Sequence, residues 1–199
     1  MNKTIDYYFA PVSPWSYLGH DRFVALAQQH AAQVNPMPVD LARIFPLSGG
    51  LPLAKRAPQR QAYRLVELAR WRDFLGVALN AQPRYAASGG DLASRWIIAA
   101  NALGTRAALD LASGIFRARW ADERDIADPA TLAEIARSRG LHAEALAAGA
   151  ADAATGAQYD AYTQRAIDAQ VFGVPWYVYR GQPFWGQDRL DFLDRELAK

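Results

Sequence analysis

The chain has 199 residues, 51% hydrophobic and 21% charged, an ordinary globular balance in a length that can bury a core without metal or disulfide staples. Lys plus Arg number 22 against 20 for Asp plus Glu, a net charge of only +2, and there is no basic stripe interleaved with aromatics, so no nucleic-acid-binding face is expected. Cysteine is absent, which removes disulfides, thiolate metal sites, thiol nucleophiles and dithiol redox chemistry together and fits a reducing compartment.

The opening MNKTIDYYFAPVSPWSYLG carries Asp6 and no apolar run before its prolines, so no secretory signal is expected there. No stretch reaches the roughly 18 uncharged apolar residues of a membrane span, and the chain reads as soluble and cytoplasmic. Residues 4–9 (TIDYYF) are β-branched and aromatic, which predicts a short buried strand. A helix follows from Trp15 to about Ala32, with Pro14 suited to its first position and Ser13 at its entrance. Val34–Leu41 can form a second strand, kept short or at an edge by Pro36 and Pro38. Residues 42–58, with Pro46, Gly49, Gly50, Pro52 and Pro58, read as a long loop with a basic end. Leu65, Leu68, Trp71 and Leu75 then mark one face of a helix over about 59–76.

After a loop from Asn80 to Gly90, Asp91 is a plausible cap for DLASRWIIAANAL. Further helices are expected at about 105–121, 129–139, 143–154 and 156–170, with Asp128-Pro129 a start and Gly140 a stop. At the end, WYVY (176–179), the Arg180-Gly181 turn and PFW (183–185) form a hairpin; Asp188 is expected to cap a last helix over 189–197. The order is β-α-β, a helical block, then β-β-α. That is an α/β, thioredoxin-like plan: a four-stranded sheet from residues 1–45 and 171–199, interrupted by an inserted loop and helical domain over 46–170.

The chemistry-bearing candidates cluster where this plan joins strands to helices. Ser13-Pro14-Trp15-Ser16 lies at the first helix entrance, where free backbone N–H groups favour an anion. A serine there is more commonly just an N-cap. Val174-Pro175 precedes the third strand, where a cis proline would leave the preceding backbone open to an extended ligand; a plain turn proline is the alternative. Gln187 and Asp188 follow the hairpin on the same expected edge. Arg43, Lys55, Arg56 and Arg60 offer cations for an acidic small molecule, or merely a solvated face. The histidines (His20, His30, His142) share no metal-ligand spacing and are expected to be structural or superficial, so no metal is expected. There is no P-loop, GxGxxG or Ser-His-Asp pattern.

Taken together, IDYYFAPVSPWSYLG (5–19), VDLARIF (39–45), KRAPQRQAYRLVELARW (55–71) and QVFGVPWYVYRGQPFWGQDRLDFL (170–193) resemble the 2-hydroxychromene-2-carboxylate isomerases and the related kappa-class glutathione transferases. The resemblance spans essentially the whole chain. It implies that Ser13 is the catalytic serine and that glutathione, a co-substrate, is held by Ser13, Val174, Pro175, Gln187 and Asp188. Arg43, Lys55 and Arg60 would then bind the aromatic acid substrate. Bound glutathione would act as a thiolate in isomerisation; the alternatives are a kappa-like transferase that conjugates small electrophiles, and a non-catalytic thioredoxin-fold binding protein. Relatives with an inserted helical domain imply a homodimer, with no nucleic-acid or membrane partner. Two stretches depart from the family pattern on the substrate side: Gly49-Gly50 replaces a Gly-Asn pair, and QPRYAASGG (82–90) replaces a Pro-Asn-containing segment.

Overall fold

The computed structural model describes residues 3–199. Strands β1 (Thr4–Phe9), β2 (Gln33–Pro38), β3 (Trp176–Tyr179) and β4 (Gln182–Trp185) form one sheet in the order β2-β1-β3-β4. β1 pairs parallel to β2 and antiparallel to β3, with Tyr7 opposite both Pro36 and Tyr177. The thioredoxin-like plan expected from the element order is therefore the observed one. As the central strand, β1 is covered on both faces, which is why TIDYYF is apolar almost throughout. Alternation does the sorting: Ile5, Tyr7 and Phe9 enter one core while Tyr8 and Ala10 enter the other.

Helix α1 (Pro14–Gln29) covers the first face through Leu18, Phe23 and Ala27. Tyr7 stacks on Phe9 at 4.6 Å and on Tyr177 at 5.3 Å between centroids, which ties β1 to β3 beneath that helix. The inserted helices α3 (Pro58–Leu75), α4 (Asp91–Asn101), α5 (Thr105–Trp120), α6 (Pro129–Ser138) and α7 (Ala143–Ala151) share this core, contributing Leu68, Trp96, Phe116, Leu132 and Leu146. Helix α8 (Ala153–Asp168) closes the second face, where Ala166 meets Tyr8, Met37 and Val174. The last helix, α9 (Leu190–Leu197), falls within the expected 189–197 and buries Leu190, Leu193 and Leu197.

β4 is an edge strand, and Pro183 is tolerated there for a definite reason. The Gly186 N–H donates to the Pro175 carbonyl, so the antiparallel alternation turns the backbone groups of Phe184 toward β3 and those of Pro183 outward. A missing N–H at 183 costs no ladder bond and blunts the exposed edge.

The structure corrects three local expectations. Residues 42–58 are not all loop: α2 spans Leu41–Ser48, followed by a short 3-10 turn at Leu53–Lys55. Asp40 caps α2 by accepting from Ala42 N–H at 2.7 Å, Ile44 is buried beneath it, and Gly49 stops it at φ 73°. Pro46 falls close enough to the end that little helix remains to be broken. Asp91 is the first residue of α4 and Gly90 its cap, and Asp188 does not cap α9 but sits in a 3-10 turn, Gln187–Arg189, before it. No helix among the described residues is long and apolar enough to cross a membrane.

Candidate active site

One end of the sheet gathers the C-terminal ends of β1, β2 and β4 and the N-terminal end of β3. Ser13, the start of α2, the Gln187-Asp188 pair and Val174-Pro175 all leave from that end, the usual place for ligands on an open α/β sheet.

Ser13 is the N-cap of α1, with Pro14 at the first helical position and its Oγ accepting from the Ser16 N–H at 3.2 Å. The capping role is thus real. It leaves the hydroxyl proton free to point elsewhere, and that proton is aimed at the Val174 carbonyl 3.5 Å away, the outer limit of a hydrogen bond. A buried hydroxyl (5% exposed) with so weak an acceptor can turn its proton to a stronger one, at the positive end of a sixteen-residue helix. Ser16, the other end of the tetrapeptide, is fully buried and its Oγ has no partner among the described residues.

The Val174–Pro175 peptide is cis, and the Val174 N–H has no backbone acceptor among the described residues. Asp188 lies across the same edge, exposed, its carboxylate 2.7 Å from the Arg189 guanidinium. Gly186 makes this arrangement possible: its φ is 105°, and a Cβ there would stand 2.4 Å from Asp188 Oδ1. Gln187 points the other way. It is buried, and Arg22 of α1 donates through Nη1 to its Oε1 at 2.8 Å and to its backbone carbonyl at 3.3 Å. Gly19 lets that side chain lie flat on α1, since a Cβ there would come within 2.8 Å of Gln187 Cβ.

The site has a braced second wall. Arg119, almost wholly buried near the end of α5, donates to the carbonyls of Ser88 at 3.1 Å and Ala86 at 2.9 Å. Its neighbour Trp120 donates through Nε1 to the Pro11 carbonyl at 3.2 Å, two residues before Ser13. Gly90 closes the gap, with space for a Cβ only 3.0 Å from Val12 Cγ1. One helix end thus fixes both the 82–90 loop and the approach to Ser13. Nothing local in the sequence marks Arg119 or Arg22 for these tasks, because their partners lie 31 and 165 positions away.

Among the expected substrate cations, Arg43 is ion-paired with Asp160 of α8 at 2.8 Å, whereas Lys55 and Arg60 are exposed and have no carboxylate within ion-pair distance among the described residues. The Gly49-Gly50 departure has a packing cause: a Cβ at Gly50 would meet Phe45 Cδ1 at 2.6 Å, so the Phe45 ring fills the space of any side chain at 50. The histidines take no part. His20 is buried, its Nε2 donates to the Leu109 carbonyl at 3.0 Å, and its Nδ1 then accepts from the Tyr7 hydroxyl at 3.1 Å. Burial pulls its pKa below the ordinary value and keeps it neutral. His30 pairs with Asp194 at 2.6 Å and His142 with Glu144 at 3.4 Å, both away from Ser13. No three His, Asp or Glu side chains are grouped to hold a metal ion among the described residues.

The sheet order, the cis proline opposite a capped first helix and the inserted helices define a thioredoxin-fold protein of the DsbA type without the dithiol. The DSBA-like thioredoxin domain matches residues 4–198, and the chain belongs to that family. It is similar to the 2-hydroxychromene-2-carboxylate isomerase of Sphingobium xenophagum, 29% identical over 198 residues and 99% of each chain. The enzyme of the same name from Pseudomonas putida is 29% identical over 98% of this chain and 94% of its own. The solved structure of a 2-hydroxychromene-2-carboxylate isomerase superposes with a TM-score of 0.83 at 27% identity, covering 98% of this chain and 94% of that one. These relatives bear out the resemblance to the 2-hydroxychromene-2-carboxylate isomerases. The cytosolic disulfide reductase DsbM from Pseudomonas aeruginosa, solved with GSH, shares the fold at a TM-score of 0.70 and 18% identity, over 98% of this chain and 100% of that one.

Proposed function

We propose that the chain is a glutathione-dependent isomerase of an aromatic, α,β-unsaturated acid of the 2-hydroxychromene-2-carboxylate kind, working in the cytoplasm. The observation that carries this reading is the weakly engaged Ser13 hydroxyl at the mouth of α1, 3.5 Å from the Val174 carbonyl of the cis-proline loop. The site fits the tripeptide on its own terms. The free N–H of Val174 suits an extended peptide backbone, and the Asp188 carboxylate on the same edge suits an ammonium group.

When bound at Ser13, Val174 and Asp188, glutathione would supply the thiolate nucleophile that the cysteine-free chain lacks, for reversible addition to the activated double bond. Ser13 donates its hydroxyl proton in a hydrogen bond to the sulfur, and the first-turn N–H groups of α1 add their partial positive charge, so the charged form is favoured over the thiol. Val174 and Asp188 fix the register that brings the sulfur to Ser13. Arg119 and Trp120 hold the opposite wall in place. A cation from the segment after β2 binds the acid's carboxylate.

The reading predicts ultraviolet-detected cis–trans conversion that requires catalytic glutathione and returns it as free thiol. Product that retains glutathione would instead identify a kappa-like transferase, and conversion indifferent to glutathione would overturn the reading. A homodimer belongs to the same proposal: Tyr63, Val66 and Phe74 leave an exposed apolar stripe on α3, and light scattering reads the mass directly.

A further inference from the structure

Helix α9 spends its leucines on the core, where Leu190, Leu193 and Leu197 are buried. Away from them it carries Phe192, Arg195 and Glu196, at the three- and four-residue spacing that brings helical side chains together. Beside it runs β4, whose outer edge pairs with no strand among the described residues. Between the two lies an open groove of about 570 Å³, walled by Phe184 and Trp185 of β4 and by Phe192 and Arg195 of α9. That is a small-molecule volume, and Ser13, Val174 and Asp188 are not among its lining residues.

The groove is aromatic and already shaped. Trp185 is 52% exposed and Phe192 54%, two large apolar side chains left in water around one depression. Trp185 is nonetheless held. Phe172 meets its ring edge-on at 4.6 Å between centroids, and a Cβ on Gly173 would stand 2.9 Å from Trp185 Nε1. A wall fixed before a ligand arrives saves the cost of ordering it. The charges are as specific. Of the three cations that line the groove, Arg189 is bound to Asp188 at 2.7 Å and Lys199 to Glu196. Arg195 has no carboxylate within ion-pair distance among the described residues; its guanidinium lies over the Phe192 ring, 6.0 Å from the centroid. A ring in that position supports the charge and leaves N–H groups of the fork for an acceptor.

We infer that this groove is a second binding site, for a small aromatic monocarboxylate whose ring packs on Trp185 and Phe192 and whose carboxylate meets Arg195. One uncommitted guanidinium calls for one negative charge, and its fork matches the two oxygens of a carboxylate. A second negative charge would face Glu196 without a free cation to answer it. The groove serves this role with or without glutathione at Ser13, so it goes beyond the isomerase reading and does not rest on it.

Calorimetry on the full chain with 1-naphthoate, its neutral counterpart 1-naphthalenemethanol, and acetate tests both halves of the site. Naphthoate is expected to bind saturably and more tightly than the alcohol, and acetate not to bind. Arg195→Gln should weaken naphthoate about tenfold, as loss of one charged contact does, and leave the alcohol unchanged; Arg195→Lys, with the charge but not the fork, should fall between. Phe192→Ala should weaken acid and alcohol alike, each about tenfold. Both side chains are exposed, so these variants should unfold at the wild-type temperature. Ser13→Ala and Arg106→Gln, an ion-paired arginine on α5, should bind naphthoate as wild type does. No naphthoate binding, acetate binding as tight as naphthoate's, or equal losses for acid and alcohol in Arg195→Gln would each overturn the site. Naphthoate weakened by Ser13→Ala but not by Arg195→Gln would place the acid beside Ser13 instead and overturn it as well. A dimer in light scattering that Phe192→Ala dissociates, with no naphthoate bound, would make a second copy of the chain the occupant and overturn the small-molecule site.

Discussion

Ser13→Ala separates the two tasks that one hydroxyl performs. The first is structural: the variant loses the bond from Ser16 N–H at 3.2 Å, a cap deletion that costs about 1 kcal/mol. In a chain of this size that lowers Tm by roughly 2–4 °C, and the 3.5 Å approach to Val174 adds little. The second is chemical. A hydrogen bond to a charged sulfur is worth about 1.5–3 kcal/mol. At about 1.4 kcal/mol per pKa unit, its loss raises the pKa of the bound thiol by about one to two. Below that pKa the thiolate population, and with it turnover, falls by about 10- to 100-fold. The assay follows the thiolate's ultraviolet absorbance against pH for glutathione bound to wild type and to Ser13→Ala, alongside kcat and thermal unfolding. Ser13→Thr keeps a hydroxyl in an extended N-cap and should retain most of both properties. If Ser13→Ala loses the few degrees of Tm but keeps the thiol pKa and turnover within twofold of wild type, Ser13 is a cap and nothing more.

Other residues give independent checks. Arg22→Ala strands two acceptors of the buried Gln187, which should lower stability in denaturant by about 1–3 kcal/mol and weaken glutathione binding by loosening the Asp188 edge. Arg119→Met releases the carbonyls of Ala86 and Ser88, so trypsin should cut after Arg84 faster than in wild type; an unchanged rate would mean the loop holds itself. His20 is neutral in the fold with its pKa lowered, chiefly by burial, so on acidification the unfolded chain takes up a proton that the native one refuses. Stability should therefore fall as pH drops below about 6.5, by up to about 1.4 kcal/mol per pH unit from this group. His20→Gln should remove that slope between pH 7.5 and 5.5, and denaturant melts at the two values measure it.

What the sequence reveals, and what it hides, divides along the range of the interactions involved. Pro14, Asp128-Pro129 and Gly140 announce their helix ends locally, and those helices lie within a few residues of expectation. The TIDYYF strand is legible because a central strand is apolar on both faces. α2 was hidden by Pro46 and the paired glycines, since local propensity does not know that Asp40 will cap it and that Ile44 will be buried. The Asp188 cap fails for a similar reason: Gly186 turns the chain so that the carboxylate folds onto Arg189. The Arg22–Gln187 clamp and the Arg119 brace join residues far apart in the chain, so no spacing rule finds them. The basic segment after β2 was visible as composition. Which of its cations are free became evident only once Asp160 was found beside Arg43.

The central claim is that this cysteine-free chain borrows its thiol from glutathione. Titrating reduced glutathione into the full chain by calorimetry, with Asp188→Ala beside it, tests that most directly. Saturable binding that Asp188→Ala weakens is the predicted result, because that carboxylate is exposed two residues after Gly186, whose N–H bonds the Pro175 carbonyl of the cis-proline loop. No binding at millimolar glutathione, or binding that Asp188→Ala leaves untouched, would contradict the account.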